Sequence, residues 1–538
     1  MQESSKIKKS IILSGLVGTG GMFIAKLIGI VYAIPFSSIL GSDVYMGIYG
    51  QAYNIYSYVL SVFTAGFPFA IATLVARYTV LKDAHTVLLI RKIAFVALAL
   101  MGFAGMLLMF GLSGVLAPLM VAQSSDVMAR SLQILSLAIF FVPVLSALRG
   151  FYQGRKEMEQ YAFSQAFEQV FRVGFLLSIS CLFVYVLGLE RKWALYVSVL
   201  STSVAAIAAI AQFLAFDKRK KQEIVLESQT QKKTGISQNK IAKEMFILAI
   251  PYMISAIFGY SQQIFNAILL PTGLHLHQYD EATISTIISA TNYVGVKITA
   301  IPMILAPGFT AAIIPHITEA LTRKDWAKTR KNVVDCINVV LTIGIPVSFC
   351  IFLYAGPINY TLFYTGNLDM SSYVLAWLSI EGFLGTISPV TTNLMMALGL
   401  KRTSLRRMMI STIIKGVLMV PLTAIFGFAG SVLTSIVGDG YLILFNLKEV
   451  RSVYQIRFHK TLQIVSRLLL VIASMFIVCT LLNWIGLNGV DGSKWIAFIK
   501  MAFNGLLTLG AGVAVACFMH LPQAVFHIRI HLPRRKGA

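Results

Sequence analysis

Residues 93–121 read IAFVALALMGFAGMLLMFGLSGVLAPLMV, without one ionisable side chain. Wound as a helix at about 1.5 Å per residue, the run is about 43 Å long and exceeds the roughly 30 Å hydrocarbon core of a bilayer. It reads as a membrane span, and similar runs recur on both sides of it. They fall at about 10–40, 45–76, 129–148, 160–188 and 193–216, then at about 244–271, 283–318, 332–355, 372–399, 408–427 and 429–447, and finally at about 461–486 and 495–519. Fourteen spans make this an all-α integral membrane protein.

Composition supports the reading. Of 538 residues, 57% are hydrophobic and 12% charged, with mean hydropathy +0.77. Soluble domains carry about 25% charged residues, so secreted, fibrous and disordered classes are excluded. The run after Lys6, Lys8 and Lys9 resembles a signal peptide but continues to about Leu40 without a convincing small-residue cleavage site, so it is expected to be retained as the first span. Cys181, Cys336, Cys350, Cys479 and Cys517 are scattered through apolar stretches, without the spacing of a disulfide framework or zinc site.

The formal charge of +23 would point to nucleic acid in a soluble protein. Here most Lys and Arg lie in the even-numbered loops and at the two termini. Arg130, Arg191, Lys192, Lys494 and Lys500 lie on the other side, and Lys26, Arg172, Lys297 and Lys415 fall within spans. Alternation of this kind is the positive-inside signal and predicts both termini in the cytoplasm. No nucleic-acid partner is expected, while contact with anionic lipid is. Trp193, Trp484 and Trp495 stand at the predicted outer boundaries, where an amphipathic ring is favoured.

The expected organisation is a six-helix lobe over 1–216, a basic cytoplasmic linker over 217–243, a second six-helix lobe over 244–450, and two extra helices with a basic tail over 451–538. A weak internal repeat supports the two lobes. Gly66-Phe67 with Ala70-Ile71 aligns with Gly308-Phe309 and Ala312-Ile313, and Arg172 aligns with Lys415. Duplicated bundles usually place a substrate site at mid-membrane between the repeats.

Ionisable groups in spans are costly, about 2.5–3.5 kcal/mol each on insertion scales, so each needs a partner or a wet surrounding. Glu168 and Arg172 are four residues apart on one helical face and are expected to form a buried pair. Lys415 is expected to snorkel towards a cytoplasmic end. Lys26 and Lys297 have no acid three or four residues away. They lie about 24 Å and 21 Å into their helices, counted from Ser10 and Thr283. Gln51, Asn54, Gln262, Gln263, Asn266 and Asn292 add neutral hydrogen-bonding groups to the predicted cavity lining. Two lone lysines among amides suit an anion, above all a phosphate. Glu381 and Asp439 are either ligands for a coupling cation or protonated hydrogen-bond donors.

Other patterns are weaker. The Gly18 to Gly21 cluster lacks the GK[ST] of a phosphate-binding loop, and His275, His277, Asp280 and Glu281 read as a solvated outer loop rather than a metal site. No nucleophile–base or paired-carboxylate arrangement lies in a sizeable domain outside the membrane. A transporter is expected, not an enzyme, with no catalytic residue, metal or cofactor; the membrane potential or a monovalent cation supplies its coupling.

Several motifs resemble a known family. Ala25-Lys26-Leu27-Ile28-Gly29, Leu40-Gly41, Gly47-Ile48-Tyr49 and Thr64-Ala65-Gly66-Phe67-Pro68 are similar to the opening of the bacterial MurJ- and SpoVB-like lipid-linked oligosaccharide flippases. Arg149-Gly150-Phe151-Tyr152-Gln153-Gly154, with Ser164-Gln165 and Glu168-Gln169-Val170-Phe171-Arg172, resembles that family's RGxxQG…SQxxEQxxR signature. The resemblance implies two lobes around a V-shaped cavity, alternating access, and export of lipid II, the undecaprenyl-pyrophosphate-linked peptidoglycan precursor. It implies that basic residues of spans one, two and eight hold the pyrophosphate, at positions matching Lys26 and Lys297. The family's other basic positions fall on Tyr32 and near Tyr56 or Ser57, and its acid on Ala33. This departure favours the SpoVB-like branch. The last two spans resemble the pair that forms a groove for the polyprenyl tail. The implied partners are the lipid-linked oligosaccharide, membrane lipids and cell-wall synthesis enzymes, with the monomer as the working unit. Teichoic, capsular or sporulation-specific lipid-linked glycans are alternative substrates, and a cation-coupled multidrug exporter is the alternative transporter.

Overall fold

The computed structural model describes residues 28–121, 124–231, 235–487 and 489–526. Among them are thirteen helices or helix pairs long and apolar enough to cross a membrane, each overlapping one expected span. Most of the first expected span, with Lys26, lies outside the described residues, and its visible end is α1, Ala33–Leu40. Trp484 and Trp495 are 86% and 78% exposed, among many outward-facing Phe, Leu and Ile side chains. An apolar exterior on this scale has hydrocarbon, not water, as its solvent.

The chain forms two compact units, Met1–Thr272 and Gly273–Ala538. In the first, α2 (Asp43–Thr64) and α3 (Phe67–Val80) are one span broken at Gly66. Gly66 has φ +82°, and a Cβ there would lie 2.6 Å from Tyr252 Cβ and 2.8 Å from the Ala249 carbonyl oxygen, so the TAGFP motif is a backbone requirement. The helices α4 (Ala84–Met120), α5 (Ser125–Gly154), α6 (Met158–Cys181), α7 (Arg191–Thr230) and α8 (Gln238–Gly259) complete the unit. Gly150 and Gly154 of α5 let α3 approach closely, since a Cβ at Gly154 would sit 2.7 Å from the Ala72 carbonyl oxygen. The RGxxQG motif thus contains a small-xxx-small helix contact.

Two boundaries differ from expectation. The segment read as a linker from 217 is helical to Thr230, because Asp217 is buried between Arg91 and the Tyr152 hydroxyl and Ile224 enters the core. A run rich in Lys and Gln has good helix propensity, and these anchors extend the helix beyond the apolar span. In addition α8, the first span of the expected second lobe, belongs to the first unit. Phe246 meets Phe67 edge-on and Glu244 pairs with Arg77.

The second unit runs α9 (Glu281–Ser289), a π-helical segment Ala290–Gly295, α10 (Ala300–Thr322), α11 (Trp326–Leu353), α12 (Ala355–Leu362), α13 (Leu368–Ala397), α14 (Lys401–Phe426), α15 (Phe428–Tyr454), α16 (His459–Trp484), α17 (Lys494–Phe518) and α18 (Leu521–Phe526). The α10 backbone is continuous through Gly308, unlike its proposed repeat partner Gly66. The late pair α16 and α17 docks on α11. Val339, Leu468, Val471 and Met475 form a buried seam, and Tyr354 bonds the Thr508 hydroxyl at 2.7 Å.

Candidate functional site

Helix α6 with its π-helical continuation ends at Val186, so Arg172 lies about 21 Å from either end, at mid-span. The predicted Glu168–Arg172 pair is not formed. Glu168 Oε2 instead accepts from Arg149 Nη2 at 2.7 Å, and Arg149 Nε and Nη2 also donate to Ser164 Oγ at 3.2 and 3.0 Å. A planar guanidinium arriving from α5 satisfies both groups at once, a geometry that a neighbour on the same helix does not match. Arg149, Ser164 and Glu168 therefore form a cross-helix clamp.

Arg172 lies over the Tyr32 ring, its Cζ 5.6 Å from the centroid, and among the described residues no carboxylate lies within 4.0 Å of it. Its Nε is buried without a hydrogen-bond partner. Tyr32 bonds the Tyr49 hydroxyl at 2.7 Å, Tyr49 and Tyr53 rings are 4.5 Å apart, and Tyr53 bonds Thr202. This is a cation at mid-span set over an aromatic face and retaining donor capacity. Sequence spacing concealed it, because Glu168 appeared to neutralise it.

The amides divide. Gln51 is fully buried and its Nε2 donates to the carbonyls of Met120 at 3.0 Å and Ala267 at 3.3 Å, so it joins helices rather than lining a cavity. Asn54 is buried on the same helix. Gln262 donates to Asn266 Oδ1 at 2.9 Å, while the Oε1 atoms of Gln262 and Gln263 have no hydrogen-bond partner. Gln262 and Gln263 precede the π-helical segment Phe265–Leu269, and Asn266 lies within it.

In the second unit, Asn292 is buried within the π-helical segment and Lys297, half-buried, follows that segment directly. Such wide turns recur at functional sites. Gly295 suits the close packing there, since a Cβ would stand 2.9 Å from the Ala290 carbonyl oxygen and crowd Leu378 of α13. Lys415 does not snorkel. It is buried 14 residues into α14, with Nζ 3.1 Å from Asp439 Oδ1 of α15, and Ser435 Oγ donates to Glu381 Oε1 at 2.5 Å. Gly438 leaves room for the lysine stem. Asp439 is thus neutralised from within the protein.

The outer loop holds no metal cluster among the described residues. His275 faces Glu281 at 3.5 Å, and His277 Nδ1 bonds the Ala424 carbonyl at 2.8 Å. Asp280 caps α9, and bonds from the Thr283 hydroxyl and backbone N–H hold its carboxyl below the usual range.

Comparison with known proteins places these features. Residues 12–321 match the model of a family described as polysaccharide biosynthesis protein. The lipid II flippase MurJ of Bacillus subtilis (strain 168) is 28% identical over 440 residues, 78% of each chain. A solved structure of the lipid II flippase MurJ in an inward closed conformation covers 95% of this chain and all of its own, at TM-score 0.60 and 13% identity. A multidrug resistance MATE family transporter of the MOP superfamily, inward-facing, covers 80% of this chain and 95% of its own at TM-score 0.62 and 16% identity. The two solved structures establish the membrane-transporter fold.

Proposed function

This chain belongs to the polysaccharide biosynthesis protein family, and from that premise we propose that it is a flippase that carries lipid II from the inner to the outer leaflet for cell-wall synthesis. It is a multi-pass membrane transporter, not an enzyme. It sits in the bacterial cytoplasmic membrane with both termini in the cytoplasm, in keeping with the distribution of Lys and Arg. The observation that carries the reading is Arg172, a guanidinium at mid-span stacked on Tyr32 with no carboxylate within 4.0 Å among the described residues.

The physical problem is a polar pyrophosphate-sugar head that must cross hydrocarbon while its tail stays behind. A mid-depth guanidinium replaces hydration with charge-assisted hydrogen bonds, and Arg matches phosphate bidentately. Arg172 takes the anion-binding part in the first unit, and Lys26, outside the described residues, is proposed for the same role. Lys297 takes it in the second. Tyr32, which stands where the resembling family carries arginine, becomes the platform on which Arg172 is held. Alternating access follows if empty and loaded states open to opposite sides at comparable free energy. The membrane potential resets a cationic site, at about 2.3 kcal/mol per charge and 100 mV. A coupling monovalent cation is less well served, because Lys415 already occupies the position opposite Asp439. The protein works as a monomer alongside cell-wall synthesis enzymes.

The test is depletion in cells complemented by wild type, Arg172→Gln or Lys297→Ala, with lipid II scored for exposure on the outer surface. Both variants are expected to reach the membrane in normal amounts and fail to restore exposure. Full complementation by both refutes the phosphate site. Unchanged lipid II exposure after depletion, with a teichoic, capsular or sporulation-specific lipid-linked glycan retained inside, transfers the function to that substrate.

A further inference from the structure

Where α15 hands over to α16, the second unit forms a half-open cavity of about 900 Å³ against the first turns of α11. Five cationic side chains, Arg330, Lys331, Arg457, Lys460 and Arg467, line it against one acid, Asp335. Arg330 Nε is fixed on the Tyr454 carbonyl at 2.8 Å and Arg467 Nη1 on the Met519 carbonyl at 3.2 Å, which orients both guanidinium planes. Lys331, Arg457 and Lys460 make no ion pair among the described residues. Like charges gathered in one concavity repel one another and raise its affinity for an anion.

Two further observations point to a ligand. The first is the start of α16, a 26-residue helix whose cap residue Phe458 supplies no side-chain hydrogen bond. Its first turn carries His459 and Lys460, both lining the cavity, where the helix dipole disfavours cations. An anion at that end reverses the penalty and accepts from the free backbone N–H groups. The second is Asn338, 2% exposed and lining the cavity, whose Oδ1 has no hydrogen-bond partner. A phosphodiester group itself has no O–H to donate to that amide oxygen, whereas a hydroxyl beside it does.

Thr342 and Pro346 of α11, Leu468 and Val471 of α16, Ala516 of α17 and Leu521 of α18 line an adjoining apolar cavity of about 340 Å³. On α11 and α16 its residues directly follow those of the basic cavity, so a ligand with a phosphate head in one has hydrocarbon in the other.

We propose that the basic cavity binds the head of an anionic, hydroxyl-bearing glycerophospholipid, with phosphatidylglycerol as the matching chemistry, and that one acyl chain enters the apolar cavity. The site lies within the second unit and is distinct from Arg172 and Lys297. The bilayer lipid would thereby fasten α16 and α18 to α11.

The test uses the full chain, stripped of lipid in detergent and titrated with phosphatidylglycerol or phosphatidylcholine, bound lipid being counted by native mass spectrometry. Phosphatidylglycerol is expected to bind in preference. Arg457→Gln with Lys460→Gln should weaken it about thirtyfold, the equivalent of roughly 1 kcal/mol for each juxtamembrane cation removed. The charge-matched control Lys401→Gln with Arg402→Gln, at the exposed start of α14, should leave it unchanged. Ala516→Trp, which fills the apolar cavity, should weaken the lipid and spare glycerol 3-phosphate. Equal losses in the two charge pairs, or no preference over phosphatidylcholine, overturn the proposal. Displacement of the lipid by inorganic phosphate or glycerol 3-phosphate at comparable concentration also overturns it, in favour of a soluble-anion site.

Discussion

Removing the ammonium of Lys415 tests whether the second unit stabilises its mid-span charges internally. Nζ and Asp439 Oδ1 are 3.1 Å apart with side chains 10% and 16% exposed, so at an effective dielectric of about 20 their attraction is about 5 kcal/mol. Desolvation of both groups offsets most of that, so the net value of the pair is small. The asymmetry is large. Lys415→Met leaves Asp439 beside Glu381, two carboxylates in neighbouring spans with no cation, and should cost about 3–5 kcal/mol. Asp439→Asn should cost less, since Lys415 retains Glu381 within electrostatic reach. The double variant should recover about 2 kcal/mol or more relative to the sum of the singles. Reversible unfolding in mixed micelles against SDS mole fraction, followed by tryptophan fluorescence, reads the three differences. Additivity within about 0.5 kcal/mol, or Lys415→Met no worse than Asp439→Asn, refutes a coupled buried pair.

Gly66→Ala should destabilise the first unit by about 2–4 kcal/mol, combining the left-handed backbone with overpacking on α8; wild-type stability in the same unfolding assay would remove the close approach at Tyr252 as its cause. At Asp280 the depressed carboxyl contributes stability that is present above its unfolded pKa, about 3.9, and is lost as pH falls through the lower folded value. Amide exchange at Thr283 and Ile284, corrected for intrinsic rates, should therefore quicken below about pH 4, and in Asp280→Ala should be quick at every pH; equal protection in the variant and wild type at neutral pH would exclude the cap.

Thirteen of the fourteen expected spans recur among the described residues, and they were legible in the sequence because burial in hydrocarbon acts on each segment by itself. A run such as 93–121 has no alternative to crossing the bilayer, whatever its neighbours are. The glycine motifs were legible as motifs, although their function as contact surfaces was not.

Partner choice was decided by tertiary structure. Along one helix the sequence specifies which residues stand three or four apart, and on that basis Glu168 and Arg172 were matched. Across helices a contact depends on rotation and crossing angle, which brought Arg149 to Glu168, left Arg172 on Tyr32, and set Lys415 against Asp439 rather than in the interface. The same limit hid the end of the basic segment after 216, where one buried carboxylate, Asp217, extends a helix that composition alone assigned to water. Periodicity is a property of one chain segment, and electrostatic pairing in a low-dielectric interior is a property of several packed together. The sequence therefore determined which segments are apolar enough to cross the membrane, and only the packing determined which of its charges pair with one another.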